Sequence, residues 1–242
     1  MPYIKKVYRF KDSIEVEKVF SGRYGKHTRH SPKKKPTPAE VIEINRKNAA
    51  KKLRRKIKAN FEAAKDFHMV LTYKKNNRPD AETAKKYLSN FLQNMRRAYK
   101  KIGYEFKYII VTEYENKAVH HHLIINGIPD TIQLVSRYWS HGHPNFTPLW
   151  EEESLGELAD YLIKETDKTF RSGKYQKQRY SCSRNLVEPD CKVEIVMAHT
   201  FRKEPQPLKG YYIDKNSIAI GINEFGYQYQ YYTMVKVTKK KE

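Results

Sequence analysis

Residues 106–114 read FKYIIVTEY and residues 118–126 read AVHHHLIIN. Both are short runs rich in β-branched and aromatic residues, and so few residues separate them that they must form an antiparallel hairpin. Successive side chains of a strand point to opposite faces, so His120 and His122 share one face and His121 points to the other. With the hairpin closing over Asn116-Lys117, Glu113 lies opposite His120 on the face that carries His122. Two imidazoles and a carboxylate leave coordination positions open for water or a phosphate oxygen. That donor set suits Mg²⁺ or Mn²⁺ acting as a Lewis acid, with zinc chemically possible too. The plain alternative for a bare His-x-His is an exposed patch without a metal, and the neighbouring Glu and the flanking alternation weigh against it.

Working outward, HMVLTY (68–73) is a short apolar segment of strand type. Asp80 then caps a helix whose stripe is Ala84, Leu88, Phe91, Leu92, Met95, Tyr99 and Ile102, with Gly103 at the C-terminal cap. Pro129-Asp130 opens a shorter helix ending near Trp139, and HPNFTPLW (143–150) reads as another strand. Ser154-Leu155-Gly156-Glu157 is a capping box that starts a helix with Leu158, Leu162 and Ile163 on its apolar side. The order strand, helix, strand, strand, helix, strand, helix predicts an α+β fold with helices packed on an antiparallel sheet. This core spans residues 67–168. Residues 1–66 form a basic arm: a hairpin turning near Asp12-Ser13, a looser stretch SGRYGKHTRHSPKKKP, and a helix from the capping box Thr37-Pro38-Ala39-Glu40 to about Lys65. Residues 169–242 are a basic segment followed by a β-rich extension, strand-like from Lys192.

The chain of 242 residues carries a formal charge of +21, an excess that calls for a polyanionic partner. Residues 1–66 alone hold 20 basic and 7 acidic side chains, so the arm carries most of it. The charge is interleaved with 19 Tyr and 10 Phe rather than gathered beside an apolar anchor, which favours nucleic acid over a lipid surface. No apolar run is long enough to cross a membrane and the N-terminus lacks a secretory signal, so a cytoplasmic protein with no membrane partner is expected. Neither Gly25-Lys26 nor Gly173-Lys174 lies in a phosphate-binding loop motif, which argues against an ATP-driven motor. Cys182 and Cys191 are too few for a disulfide framework, and with His199 they fall one ligand short of a structural zinc site. On the arm helix, Ala50, Leu53, Ile57, Phe61 and Ala64 recur at helical spacing and leave Lys51, Lys52, Arg54, Arg55 and Lys58 for phosphate contact. Arg96-Arg97 and Arg184 are further candidates for the DNA backbone. Tyr73 and Tyr138 are candidates for base stacking, with core packing as the alternative.

Tyr161 stands in ADYLIKE (159–165), and Lys164 lies one helical turn on, within reach of the same reacting phosphate. A phenol with an ordinary pKa of about 10 needs a nearby cation or base to act as a nucleophile, and Lys164 is the expected source. Taken alone, a Tyr-x-x-Lys on a helix is as well explained by packing.

The ordered set HMVLTY, Glu113 followed by HHHLII, Trp139-Ser140-His141-Gly142 and Tyr-Leu-Ile-Lys-Glu resembles the rolling-circle replication initiators of the HUH endonuclease class. The replication-associated proteins of filamentous and microvirid phages, and of related elements in Gram-positive bacteria, are the nearest in pattern. The resemblance covers residues 68–168 by motif. The basic TPAE helix and SCSRNL (181–186) are more loosely similar. It implies an RRM-like antiparallel sheet with a divalent metal, Mg²⁺ or Mn²⁺, on its central strands. In that pattern His120, His122 and Glu113 are ligands, Tyr161 is the nucleophile, Lys164 its companion, and HMVLTY is mostly structural. The implied activity is nicking and rejoining of single-stranded origin DNA through a 5′-phosphotyrosine, in a bacterial host's cytoplasm, with a helicase and a DNA polymerase borrowed from that host. His121 departs from the pattern, standing where an apolar residue is usual. The single motif tyrosine is a second departure from relatives that carry two. A transposase or plasmid relaxase of the same chemistry, or a non-catalytic single-stranded nucleic-acid-binding module, are the alternatives.

Overall fold

A computed structural model describes residues 2–21, 35–114, 118–150, 154–175, 178–223 and 225–237. The Asn116-Lys117 turn, most of the 21–36 stretch and the Ser154 side chain, with the capping box expected there, lie outside the described residues. The chain divides into two compact units, residues 45–187 and residues 1–44 with 188–242.

The unit of residues 45–187 is an α+β fold on a five-stranded antiparallel sheet. Its strands are β3 (Phe67–Leu71), β4 (Tyr108–Glu113), β5 (His120–Ile125), β6 (Pro144–Pro148) and β7 (Ser181–Cys182), in the order β6-β3-β5-β4-β7. Its helices are α1 (Pro38–Asn60, from residue 45 on), α2 (Ala81–Lys101), α3 (Thr131–Tyr138), α4 (Ser154–Glu165) and α5 (Asp167–Ser172), with a short 3₁₀ turn at Lys75–Asn77. The predicted alternation of strands and helices, and the β4–β5 hairpin register with Glu113 opposite His120, are both observed.

Residues opposite one another on neighbouring strands share a face, so the sheet sorts its side chains into two layers. Met69, Leu71, Tyr108, Ile110, Leu123 and Ile125 face one way and pack with Phe91, Leu92, Met95 and Tyr99 of α2 and Val135 of α3. Ile109, Val111 and Ile124 face the other way, against Leu53 and Ile57 of α1 and Leu155, Ala159, Leu162 and Ile163 of α4. The α2 start is fixed as expected: the Asp80 carboxylate accepts from the Thr83 backbone N–H at 2.7 Å. Its stripe ends one residue early. Ile102 is 44% exposed because it follows the last turn, where Gly103 takes φ +81°.

The capping box at Thr37 is formed, with Thr37 N–H donating to Glu40 Oε2 at 2.8 Å and Glu40 N–H to Thr37 Oγ1 at 3.3 Å. That helix stops at Asn60 rather than near Lys65. The Asn60 amide donates to the Lys56 and Val187 carbonyls and accepts from the Val187 N–H, and Ala64 turns left-handed at φ +60°. No local periodicity shows that Val187 will arrive there.

The charge-based division into 1–66, 67–168 and 169–242 differs from the grouping of the described residues. The arm's hairpin, β1 (Tyr3–Arg9) and β2 (Ser13–Phe20), joins β8 (Cys191–Val196), β9 (Tyr211–Ile222) and β10 (Gln228–Lys236) in one antiparallel sheet ordered β8-β1-β2-β10-β9. Val7, Ile14, Val16, Tyr232 and Met234 form its core. A polar row crosses four of its strands, Glu194 opposite Lys5, Lys5 opposite Lys18, and Lys18 opposite Gln230. Among the described residues no helix is long and apolar enough to cross a membrane.

One turn of the 45–187 unit tolerates no side chain. Gly127 N–H donates to Asp66 Oδ1 at 2.8 Å, and the other oxygen of this buried carboxylate accepts from Glu62 N–H at 2.8 Å. A Cβ on Gly127 would stand 2.0 Å from the Lys65 carbonyl oxygen and 3.0 Å from the Phe67 ring. Gly127→Ala is expected to cost at least about 2 kcal/mol in chemical denaturation, because backbone must move on both sides of the contact. A loss under about 0.5 kcal/mol would contradict that packing.

Candidate active site

Strand β5 is central, paired with β3 on one side and β4 on the other, and its three histidines meet different surroundings. His121 lies in the α2-side core with no exposed surface. Its Nε2 hydrogen bonds with Tyr73 Oη at 2.8 Å and its Nδ1 with Thr112 Oγ1 at 2.9 Å. A neutral imidazole has one donor and one acceptor nitrogen, so two hydroxyls satisfy it fully. Burial first, then His122 and His120, push its pKa down to about 3. His121 therefore replaces an apolar core residue by a hydrogen-bonded one, with no lone pair left for a ligand.

Tyr73 belongs to the same core. It is 8% exposed, its hydroxyl is held by His121, and its ring meets Trp139 edge-on at 5.3 Å. Tyr138 packs against that cluster as well. Tyr73 is thus a core residue rather than a base-stacking platform, whereas Tyr138 is half-buried. The Trp139-Ser140-His141-Gly142 segment is anchored to the end of β3: Trp139 Nε1 donates to the Thr72 carbonyl at 3.0 Å and Lys74 N–H to the His141 carbonyl at 2.9 Å.

The opposite face carries the candidate chemistry. Register puts Glu113 across from His120, and Val111 and Val70 across from His122. Glu113 and His122 are buried at 6% and 5% exposure, while His120 is half-buried. Tyr161 projects from α4 beside the buried pair Leu162 and Ile163, remains 44% exposed, and meets the His122 ring edge-on at 5.6 Å. Burial, then the carboxylates of Glu165 and Glu113, raise the Tyr161 phenol above its ordinary range. Lys164 is exposed on the same helix. Tyr161, thirty-nine residues after His122 in sequence, is thus brought against the His122 ring.

The same face holds a residue that the sequence reading treated as structural. His68 on β3 stacks on His122 with ring centroids 5.6 Å apart and planes within 8°. His68 Nε2 and His122 Nδ1 are both buried without a hydrogen-bond partner. Burial, first in each case, lowers both pKa values to about 4, so both rings are neutral and their lone pairs available. Alternation carried along HMVLTY would have put His68 on this face, but only with the β3–β5 register in hand. Among the described residues no three His, Cys, Asp or Glu side chains converge as a metal cluster, and this covers Glu113, His120 and His122 as well as Cys182, Cys191 and His199. The donor chemistry nevertheless fits a divalent ion. Two orphaned imidazole nitrogens and a carboxylate share one buried face, and buried polar atoms in native structures are otherwise almost always paired.

Of the cationic residues expected to meet DNA, Arg55 and Lys58 are only 8% and 7% exposed. They do not stand on an open helix face, because α1 is covered round most of its circumference at this level, with Leu53, Lys56 and Ile57 buried too. Lys51 and Arg54 are half-buried and Arg184 is exposed. Arg96 and Arg97 are exposed on α2, and the Arg96 guanidinium donates to the Tyr108 hydroxyl.

Residues 66–170, from β3 into α5, match the family described as replication-associated protein ORF2/G2P. The match supports a replication initiator. Searches of curated proteins and of solved structures found no match.

The buried imidazoles link this site to stability. Each of His68, His121 and His122 binds its proton more weakly folded than unfolded, so stability is complete above about pH 6.5 and falls as pH drops toward 4. The melting temperature of the metal-free protein is expected to be level from pH 8 to 6.5 and to decline steadily below. A level melting temperature down to pH 4.5 would contradict burial of these rings.

Proposed function

We propose that this replication-associated chain initiates replication by nicking one strand of its origin DNA, with Tyr161 as the nucleophile. The observation that carries this reading is the contact between the Tyr161 and His122 rings on the face that also holds Glu113 and His120. Tyr161 Oη forms a bond to the scissile phosphorus as the bond from phosphorus to the 3′ oxygen breaks. The phenolic proton passes to solvent, and the departing oxygen takes up a proton to become a free 3′-OH. One strand end is then held as a 5′-phosphotyrosine, and the other can prime a host polymerase. Because a phosphodiester is exchanged for a phosphodiester, attack by another 3′-OH reverses the step without ATP.

Glu113, His120 and His122 would hold a divalent ion, Mg²⁺ or Mn²⁺, whose chemistry is Lewis-acid neutralisation of charge on the phosphate oxygens. Lys164, one turn beyond Tyr161, meets the same phosphate. Lys51, Arg54, Arg97 and Arg184 contribute phosphate contacts in this reading, so binding weakens steeply with salt. A host helicase opens the duplex and the reaction takes place in a bacterial host's cytoplasm.

The test mixes the full chain with fluorescent single-stranded oligonucleotides, including stem-loops cut from the source replicon, and Mn²⁺. A denaturation-resistant protein–DNA adduct is expected, abolished by EDTA and reduced at least about 1000-fold in Tyr161→Phe. Tight, salt-sensitive binding with no adduct on any substrate would replace this reading with that of a binding module. The pH dependence has a fixed sign. A phenol raised above its ordinary range gains phenolate about tenfold per pH unit, so adduct formation should accelerate from pH 7 to 9. A rate that falls across this range would exclude the phenolate as the attacking species.

A further inference from the structure

We propose that His68 is a nitrogen ligand of the divalent ion, paired with His122, an inference that rests on the reading of this face as a metal-assisted nicking site. The ligand set implied by the family resemblance has no place for it, since HMVLTY is there a structural motif. Three observations carry the proposal. The alternation of β3 and its register against β5 put His68 on the face of His122 and not on the core face of Met69 and Leu71. His68 Nε2 is buried with no partner, as is His122 Nδ1, and an imidazole nitrogen left unpaired in the interior is a cost that a core position would not retain.

The third is reach. A metal–imidazole bond of about 2.1 Å puts an ion about 3.2 Å from the ring centroid, so two rings on one ion stand no more than about 6.4 Å apart. The His68 and His122 centroids are 5.6 Å apart, inside that limit; the rings lie parallel, so one imidazole turns about its Cβ–Cγ bond for both in-plane lone pairs to meet one ion. His121 makes the contrast clear. It is a buried histidine of the same strand with both nitrogens hydrogen-bonded by hydroxyls, which is how this fold accommodates an imidazole that has only a packing role. Nothing of that kind is provided for His68.

The experiment is Mn²⁺ titration by calorimetry of the metal-free full-length protein and of His68→Ala, His68→Asn, His122→Ala and Glu113→Gln, with the melting temperature of each followed without metal and with Mn²⁺. The expected result is a loss of Mn²⁺ affinity in both His68 variants of at least about tenfold, comparable with His122→Ala, together with a smaller metal-induced rise in melting temperature. The Asn variant keeps a polar side chain of similar size, so a folding defect confined to His68→Ala does not obscure the readout. Wild-type affinity in both His68 variants, with affinity lost in His122→Ala and Glu113→Gln, would overturn the ligand role of His68 and leave the nicking reading standing. Absence of Mn²⁺ binding by the wild-type protein at millimolar concentration would overturn both.

Discussion

The alternation of side chains along β5 is the constraint on which the site depends. His120, His121 and His122 are consecutive, and a strand cannot send neighbours the same way. The direction is set by His121, whose nitrogens are gripped by Tyr73 and Thr112 inside the α2-side core. A slip of one residue in the β4–β5 ladder would put two imidazoles into that core and leave the hydroxyls with the wrong partners. The buried hydrogen bonds therefore select the register, and the register delivers His120, His122 and Glu113 to the face where α4 brings Tyr161.

Electrostatics on that face follow from burial. His68 and His122 are kept neutral because charging them in the interior is unfavourable, and a neutral imidazole is the form that can donate a lone pair. The same environment, with Glu165 and Glu113 nearby, holds the Tyr161 phenol protonated. On the proposed nicking reading, a face that favours neutral donors and a protonated phenol would be inert until positive charge is supplied.

Much of this was legible in sequence because it is local. The β4–β5 hairpin, the caps at Thr37 and Asp80 and the apolar stripe of α2 depend on neighbours a few residues apart. What was not legible depends on distant partners. The hairpin of residues 3–20 pairs with strands near the other end of the chain, Lys18 bonding to Gln230 across 212 positions, and no charge count anticipates that ladder. Arg55 and Lys58 read as open-surface cations from helical periodicity alone, yet α1 is covered on more than its apolar side. His68 stayed hidden because its face is defined only once β3 is paired with β5.

The central claim is that one tyrosine, placed by α4 against His122, takes the phosphate. Its most direct test is to trap the protein–DNA adduct formed in a single turnover, digest the protein, and locate the nucleotide by mass spectrometry. The account predicts a nucleotide phosphate on the peptide that contains Tyr161, joined through the phenolic oxygen. A nucleotide on any other residue, or none on a folded, Mn²⁺-loaded protein that binds its origin strand, would contradict it.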